Sequence, residues 1–184
     1  LLPAELETVL QEMGEPKYRA KQIFRWLHLG VTSFEEMSDL SKNLRAKLEE
    51  RFCLTVPQIL RKQVSAKDGT IKYLFDVLDG NAIETVLMSY HHGYSLCIST
   101  QIGCKMGCKF CASTGIKFAR DLTSGEIVEQ ILAVERDENI KISNVVFMGI
   151  GEPLDNYDNV VNAIRIINNP KGINIGARHI SIST

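Results

Sequence analysis

The sequence predicts an α/β protein, in which a helical N-terminal region and a small antiparallel β meander precede alternating strands and helices. Three observations predict this. Residues 1–57 carry apolar side chains at helical spacing, and residues 58–90 contain three short β-type runs separated by turns. Residues 91–184 alternate strand-like and helix-like segments. Such alternation is typical of a parallel sheet covered by helices. We therefore divide the chain at residues 57 and 90.

The helical region is predicted from apolar stripes and their stop signals. A first helix over residues 3–13 ends at Gly14, and a second ends at Gly30. A last helix covers residues 41–52. A basic run on the second helix could meet RNA phosphate, although such a run is more often a solvated face: Lys17, Arg19, Lys21 and Arg25. Cys53, directly after the last helix, is expected to be a packed thiol.

Strand predictions cover the rest of the chain. The meander strands, separated by turns that contain Asp-Gly, are residues 58–64, 70–77 and 82–90. The segments that follow are a strand over 94–100, a helix opening at the capping box 123–126, a strand over 144–148, a helix over 157–168 and a strand from 179. Because the chain stops at Thr184, inside that third strand, we expect a truncated barrel and the front portion of a longer protein.

Strand parity predicts which side chains share a face. Around Cys97, small polar residues alternate with Leu96 and Ile98, and residues 179–183 repeat the pattern. The apolar face would pack on helices and the polar face would line a cavity. Two short segments can also alternate by chance. The small residues expected at the cavity are Cys97, Ser99, Ser181 and Ser183.

Composition excludes several classes of protein. The chain has 184 residues, a net charge of −1 and 45% hydrophobic residues, which is ordinary for a globular protein and unlike a disordered one. No apolar run approaches the roughly 20 residues that span a bilayer, and no signal pattern opens the chain. We therefore expect a soluble cytoplasmic protein with no membrane partner. Residues 85–120 contain four basic residues and no acid, which suits an anionic ligand or metal–thiolate centre, unless it reflects chance.

Three of the five cysteines form the spacing Cys-x3-Cys-x2-Cys: Cys104, Cys108 and Cys111. Three thiolates on a glycine-bearing loop can hold three irons of a four-iron cluster and leave the fourth iron open to a small molecule. Structural zinc usually takes four ligands, and His91 or His92 could supply the fourth. Unliganded or redox-active thiols are the remaining alternative. An odd cysteine count in such a chain is a poor disulfide framework.

The cysteine spacing after a first strand resembles that of radical S-adenosylmethionine enzymes, and the flanking sequences resemble the RlmN family of dual-specificity RNA methyltransferases. The similarity extends along nearly the whole chain. The segments that carry it are Tyr18-Arg19-Ala20-Lys21-Gln22-Ile23, Glu84-Thr85-Val86, residues 95–103, Phe110-Cys111-Ala112 and Gly149-Ile150-Gly151-Glu152-Pro153-Leu154. The resemblance implies the first β/α units of a partial (β/α)6 radical-SAM barrel.

The resemblance also implies a role for each of eight residues. Cys104, Cys108 and Cys111 would ligate a [4Fe-4S] cluster, whose open iron is chelated by S-adenosylmethionine. The residues that would contact S-adenosylmethionine are Gly151, Glu152 and Ser183. Cys97 would resolve a protein–RNA crosslink by attacking a methylated cysteine, which implies a disulfide bond, and Glu84 would accept a proton. The methyl-carrying cysteine has no counterpart before Thr184, so we expect residues 1–184 alone to be inactive.

The function implied is methylation of adenine C2 in 23S rRNA, near the peptidyl-transferase centre, and in tRNA anticodon loops. The implied partners are these RNAs and an external electron donor such as flavodoxin, and the expected state is a monomer. Three alternatives stay open: a sister family that methylates adenine C8, a zinc-stabilised RNA-binding module without catalysis, and a radical enzyme with another substrate.

Overall fold

The computed structural model describes all 184 residues, and its N-terminal region contains the three expected helices. They are α1 (Pro3–Glu12), α2 (Arg19–His28) and α3 (Lys42–Arg51). Local sequence explains their ends. Gly14 and Gly30 follow α1 and α2 with φ of 73° and 81°, a conformation that glycine adopts at little cost. The Ser41 hydroxyl accepts a hydrogen bond from the Leu44 backbone at the start of α3, at 3.2 Å.

Eight strands and two further helices form the rest of the chain. The strands are β1 (Gln58–Val64), β2 (Ile71–Asp76), β3 (Ala82–Tyr90), β4 (Gly93–Ile98), β5 (Gln101–Ile102), β6 (Arg120–Asp121), β7 (Ile142–Phe147) and β8 (Ile180–Ile182). The helices are α4 (Ser124–Glu138) and α5 (Tyr157–Ile167). No helix is long and apolar enough to cross a bilayer.

Six strands form one mixed sheet in the order β1-β2-β3-β4-β7-β8. Strands β1 to β4 pair antiparallel, whereas β4, β7 and β8 pair parallel. The predicted meander and the predicted first parallel strand therefore belong to the same sheet, joined by a hairpin at His91 and His92. The α/β prediction is confirmed, and the meander is the antiparallel half of the sheet.

The packed face of the sheet follows the predicted parity. Leu96 and Ile98 of β4 and Val145 and Phe147 of β7 are fully buried. The predicted apolar stripe of α4 is fully buried as well: Ile127, Ile131 and Val134. Each such side chain contributes roughly 1.5–3 kcal/mol to the free energy of folding. The opposite face of the sheet carries Cys97.

A polar cluster attaches the antiparallel half of the sheet to the C-terminal end of α4. The fully buried ring of Tyr73 extends its hydroxyl to the carboxylates of Asp137, at 2.7 Å, and Glu138, at 2.6 Å. The Lys62 ammonium bonds both carboxylates from β1. Burial and the two carboxylates raise the pKa of the Tyr73 hydroxyl, so it stays a donor throughout the neutral range.

We predict that Tyr73→Phe lowers the free energy of unfolding by about 1 kcal/mol, because two partly exposed carboxylates lose a hydrogen-bond donor while the ring packing stays unchanged. Chemical denaturation followed by circular dichroism measures the change. Tyr18→Phe is the matched control, since Tyr18 is 56% exposed. Equal stability of the two variants would contradict a stabilising role for the Tyr73 hydroxyl.

Candidate functional site

The predicted site residues gather where the three parallel strands end. Ile98 of β4 lies opposite Phe147 of β7, which lies opposite Ile182 of β8. The cysteine loop follows β4, the Gly-Glu-Pro segment follows β7, and Ser183 follows β8. Ligands of parallel α/β sheets bind at this edge.

Close backbone approach holds the segment after β7 against the end of β4. The backbone N–H of Gly149 donates to the Ile98 carbonyl, at 3.0 Å, and that of Thr100 donates to the Ile150 carbonyl, at 2.9 Å. Gly151 has φ 106°, and a Cβ there would lie 2.6 Å from the Cβ of Gln101. Only glycine fits both restrictions.

Glu152 lies at the exposed end of this segment. Its Oε1 accepts a hydrogen bond from the Leu154 backbone, at 3.0 Å, which starts a short 3-10 turn over Pro153–Asn156. Its second carboxylate oxygen has no protein partner in the structure. Glu152 therefore presents an acceptor at the sheet edge that a cation such as an ammonium group can use.

The cysteine loop begins and ends at two short paired strands, β5 and β6, which we call the loop neck. Gly103 packs against the backbone of Lys117 so closely that a side chain would collide with it. Within the loop, the Cys108 carbonyl accepts hydrogen bonds from the Cys111 backbone, at 3.1 Å, and from Thr114, at 2.5 Å. The sequence predicted a long loop here and missed this neck.

The three thiols of the cysteine loop are at least partly accessible, but they are not grouped as metal ligands. Cys108 and Cys111 are exposed and Cys104 is partly buried. No three His, Cys, Asp or Glu side chains are arranged to hold a metal ion. The loop carries three thiols and no carboxylate, so it fits three irons of an anionic iron–sulfur cluster by number and type of donor.

All five cysteines are free, so the expected disulfide bond is not present in this chain. Cys97 is held within the central strand β4, whereas the three cysteines of the Cys-x3-Cys-x2-Cys spacing lie on the loop that follows it. Cys53 is exposed, so the expectation that it is a packed thiol is wrong; it lies two residues beyond the end of α3. In the hairpin between β3 and β4, at the other end of β4 from the cysteine loop, the His92 ring stacks on Tyr90 and meets the His91 ring edge-on.

Cys97 lies half-buried on the open face of the sheet, between Val86 of β3 and Val146 of β7. Burial raises the pKa of its thiol above the usual range, while a hydrogen bond from the Met148 backbone opposes that shift. The thiol is therefore protonated at neutral pH. It becomes a nucleophile only when a base takes its proton or the pH rises.

Glu84 lies on the same open face, one strand away. Its carboxylate forms an ion pair with Lys72 of β2 at 2.5 Å, and both side chains are partly exposed. Its backbone carbonyl accepts a hydrogen bond from the Ser99 hydroxyl, at 2.6 Å. The pairing with Lys72 is not predictable from the sequence, since it depends on the register between β2 and β3.

The predicted serines have different surroundings. Ser183 is exposed beyond the end of β8, and its backbone N–H donates to the Phe147 carbonyl, at 3.2 Å. Ser181 is also exposed. Ser99 is fully buried, so the prediction that it lines a cavity is wrong. It follows the last residue of β4, and its hydroxyl also accepts from the Ile150 backbone, at 3.0 Å.

Three buried amide side chains that the sequence analysis missed brace this edge of the sheet. Gln130 of α4 bonds both backbone groups of Ser99, at 2.9 Å each, and Asn156 bonds the carbonyls of Thr100 and Leu122, at 2.8 Å each. Gln101 is the third. A signal existed for Gln130, because it is a polar residue on the apolar stripe of an amphipathic helix.

The basic residues at the start of α2 differ in their surroundings, since three are exposed to solvent and one bonds other protein groups. Lys17, Lys21 and Arg25 are exposed. Arg19 instead bonds the Gln22 side chain, at 2.8 Å, and the Asp39 carbonyl, at 3.3 Å. Three of the four predicted basic residues are thus free to meet an anionic surface.

Comparisons with known proteins agree with this arrangement. Residues 1–54 match the ribosomal RNA large subunit methyltransferase N-terminal domain, and residues 98–184 match the radical SAM superfamily. Proteins named probable dual-specificity RNA methyltransferase RlmN are 54% identical in Alkaliphilus oremlandii and 52% identical in Clostridium novyi, each over 98% of this chain. The chain is therefore similar along nearly its whole length to the RlmN branch of the radical SAM superfamily.

The fold comparison supports the same assignment. The solved structure of a radical SAM methyltransferase from Sphaerobacter thermophilus is 43% identical and superposes on 100% of this chain with a TM-score of 0.91. This chain covers 55% of that protein. It likewise spans about half the length of the curated relatives it matches, 52% and 53% of the two named above.

The radical SAM superfamily, which residues 98–184 match, implies two cofactors, a [4Fe-4S] cluster and S-adenosylmethionine. The loop after β4 carries three thiols, and the segment after β7 carries carbonyl and carboxylate acceptors. Both lie at the edge at which the parallel strands end.

We predict that the five thiols of the metal-free, reduced chain fall into two reactivity classes. At pH 7.5 Cys97 should react with iodoacetamide at least about tenfold more slowly than Cys108 or Cys111, because its thiol is half-buried and its pKa is raised. Peptide mass spectrometry measures the rates, and labelling in denaturant should equalise them. Equal rates in the folded chain would contradict the raised pKa of Cys97.

Proposed function

We propose that the whole protein is a radical S-adenosylmethionine methyltransferase that methylates C2 of adenosine in 23S rRNA and in tRNA. The observation that carries the proposal is the arrangement at one sheet edge. A cysteine loop, a Gly-Glu-Pro segment and a half-buried thiol lie at this edge. The chain also resembles its RlmN relatives over 98% of its length. The RlmN names of these relatives favour C2 over the C8 chemistry of the sister family.

The chain's own residues would hold the cofactors as follows. Cys104, Cys108 and Cys111 would each bind one iron as a thiolate. The Glu152 carboxylate and the Gly151 carbonyl would receive the ammonium group of S-adenosylmethionine, and Ser183 would contact the same molecule from the neighbouring strand. When bound and reduced, the cluster supplies one electron to cleave S-adenosylmethionine and so generates a carbon radical.

Cys97 is proposed to release the methylated product. In the crosslinked state, a methylene group joins adenine C2 to a cysteine that has no counterpart in residues 1–184. The Cys97 thiolate attacks the sulfur of that cysteine and forms a disulfide with it. The electrons of the broken carbon–sulfur bond pass to the methylene carbon, which takes a proton and becomes the methyl group.

Glu84 is proposed to take the proton from adenine C2. The carboxylate is on the same face of the sheet as Cys97, and partial exposure leaves it accessible to a bound base. The ammonium group of Lys72 pairs with the carboxylate and holds it on this face of the sheet. Lys72 is thereby a positioning residue for Glu84.

The substrates and partners of the whole protein are proposed from the same features. Helix α2 and the turn before it would present Lys17, Lys21 and Arg25 to RNA phosphate. Single-stranded loops in rRNA and tRNA suit a protein that must reach C2, because their bases can be splayed into a pocket. An external one-electron donor such as flavodoxin would reduce the cluster.

Deletion of the gene for the whole protein tests the function. We expect 2-methyladenosine to disappear from 23S rRNA and tRNA digests and to return when the intact gene is supplied, but not when the gene carries Cys108→Ala. Liquid chromatography with mass spectrometry measures the nucleosides. Unchanged 2-methyladenosine would contradict the proposal, and loss of 8-methyladenosine instead would assign the protein to the sister family.

Cys97→Ala in the whole protein separates radical chemistry from product release. We expect a covalent protein–RNA adduct to accumulate, because the methylene bridge forms but no thiol breaks it. Denaturing gel electrophoresis of the protein with radiolabelled RNA detects the adduct. Cys53→Ala is the matched control and should turn over normally, and normal turnover of Cys97→Ala would contradict the resolving role.

A further inference from the structure

A buried glutamine lies between the two loops that build the cofactor edge. The side chain of Gln101 is fully buried at the start of the cysteine loop. Its Oε1 accepts a hydrogen bond from the Glu152 backbone, at 2.9 Å. Its Nε2 donates to Asp121, at 2.8 Å, and to Asp155, at 3.0 Å. The glutamine therefore fixes the backbone of Glu152 and the two ends of the loop neck together.

Asp155 extends this contact to the cysteines. Its Oδ2 forms an ion pair with Lys105 at 2.9 Å, and Lys105 is the residue directly after Cys104. The Lys105 ammonium lies 4.2 Å from the centre of the Phe118 ring, on the returning side of the loop. Asp155 thus binds both Gln101 and the cysteine loop through the same oxygen.

These contacts form one bridge from the Gly-Glu-Pro segment to the cysteines, which we call the Gln101–Asp155–Lys105 bridge. Close packing leaves little slack in it, because Gly151 lies directly against the Cβ of Gln101. Asp121 lies on the returning side of the loop and accepts from the same Gln101 side chain, at 2.8 Å.

We propose that Lys105, Asp155 and Gln101 are positioning residues that set the cluster loop at the correct distance from the Gly-Glu-Pro segment for S-adenosylmethionine to contact both. The inference rests on the proposed function, because it takes the loop to carry the cluster and Glu152 to receive the cofactor ammonium. Breaking the bridge leaves the thiol ligands in place. It removes the restraint that aligns the two ends of the cofactor site.

The test uses the whole protein, reconstituted anaerobically with iron and sulfide and then reduced. S-adenosylmethionine is titrated while the electron paramagnetic resonance spectrum of the cluster is recorded, which gives a dissociation constant. Lys105→Met should keep about four irons per chain but raise that constant about threefold to fivefold, as expected for loss of one partly exposed ion pair. Lys105→Arg should restore the affinity.

Two further variants make the result specific. Asp155→Asn keeps an acceptor for Gln101 but loses the ion pair, so it should match Lys105→Met, and the double variant should be no worse than either single one. Lys47→Met is the matched control. Lys47 is 40% exposed and pairs with Glu15 at 2.7 Å in the helical region, so its loss should leave the cofactor affinity unchanged.

The outcomes distinguish the inference from the function on which it rests. If the unaltered protein binds S-adenosylmethionine and Lys105→Met binds it equally well, the positioning role is overturned. If Lys105→Met loses iron, the bridge holds the loop itself and the role proposed here is also overturned. If the unaltered protein takes up iron but its spectrum never responds to S-adenosylmethionine, the proposed function fails first.

Discussion

Parallel pairing of β4 with β7 and β8 is the constraint on which the rest of the structure depends. Parallel strands end at the same edge, so residues that are 53 positions apart in sequence, such as Ser99 and Glu152, follow neighbouring strands. The edge would leave unpaired backbone groups where the strands stop. Here the backbones after β4 and β7 bond each other, and three buried amide side chains satisfy the remainder.

One face of the sheet is packed and stabilises the fold, and the other face carries the candidate reactive side chains. Leu96, Ile98 and Phe147 pack under the helices with no exposed surface, so the strand positions are fixed by burial. The alternate positions of the same strands are left to carry Cys97 and, on β3, Glu84. A shift of one residue in register would bury the thiol and expose the core, which makes the correct register a requirement of folding as well as of function.

The sequence was sufficient to predict the helices and strands and the sheet edge at which the candidate site lies, because both follow from local patterns. Alternation around Cys97 gave the faces of β4, and the cysteine spacing gave the thiol donor set. Contacts between distant residues were not predictable. The pair of Lys72 with Glu84 depends on strand register, and the partners of Gln101 lie on two other segments. Strands β5 and β6 have two residues each, too few for any periodicity. The position of Ser99 deviates from parity because the strand ends at Ile98.

Burial divides the cysteines of this chain into accessible and less accessible thiols. Four cysteines lie within 15 residues, and reagents or metal ions that arrive from solvent react first with the thiols they can reach. Cys97 is half-buried within β4, and burial raises the pKa of its thiol, whereas Cys108 and Cys111 are exposed on a loop without carboxylates. The strand that holds Cys97 therefore also keeps this sulfur less accessible from solvent than the two exposed thiols of the loop.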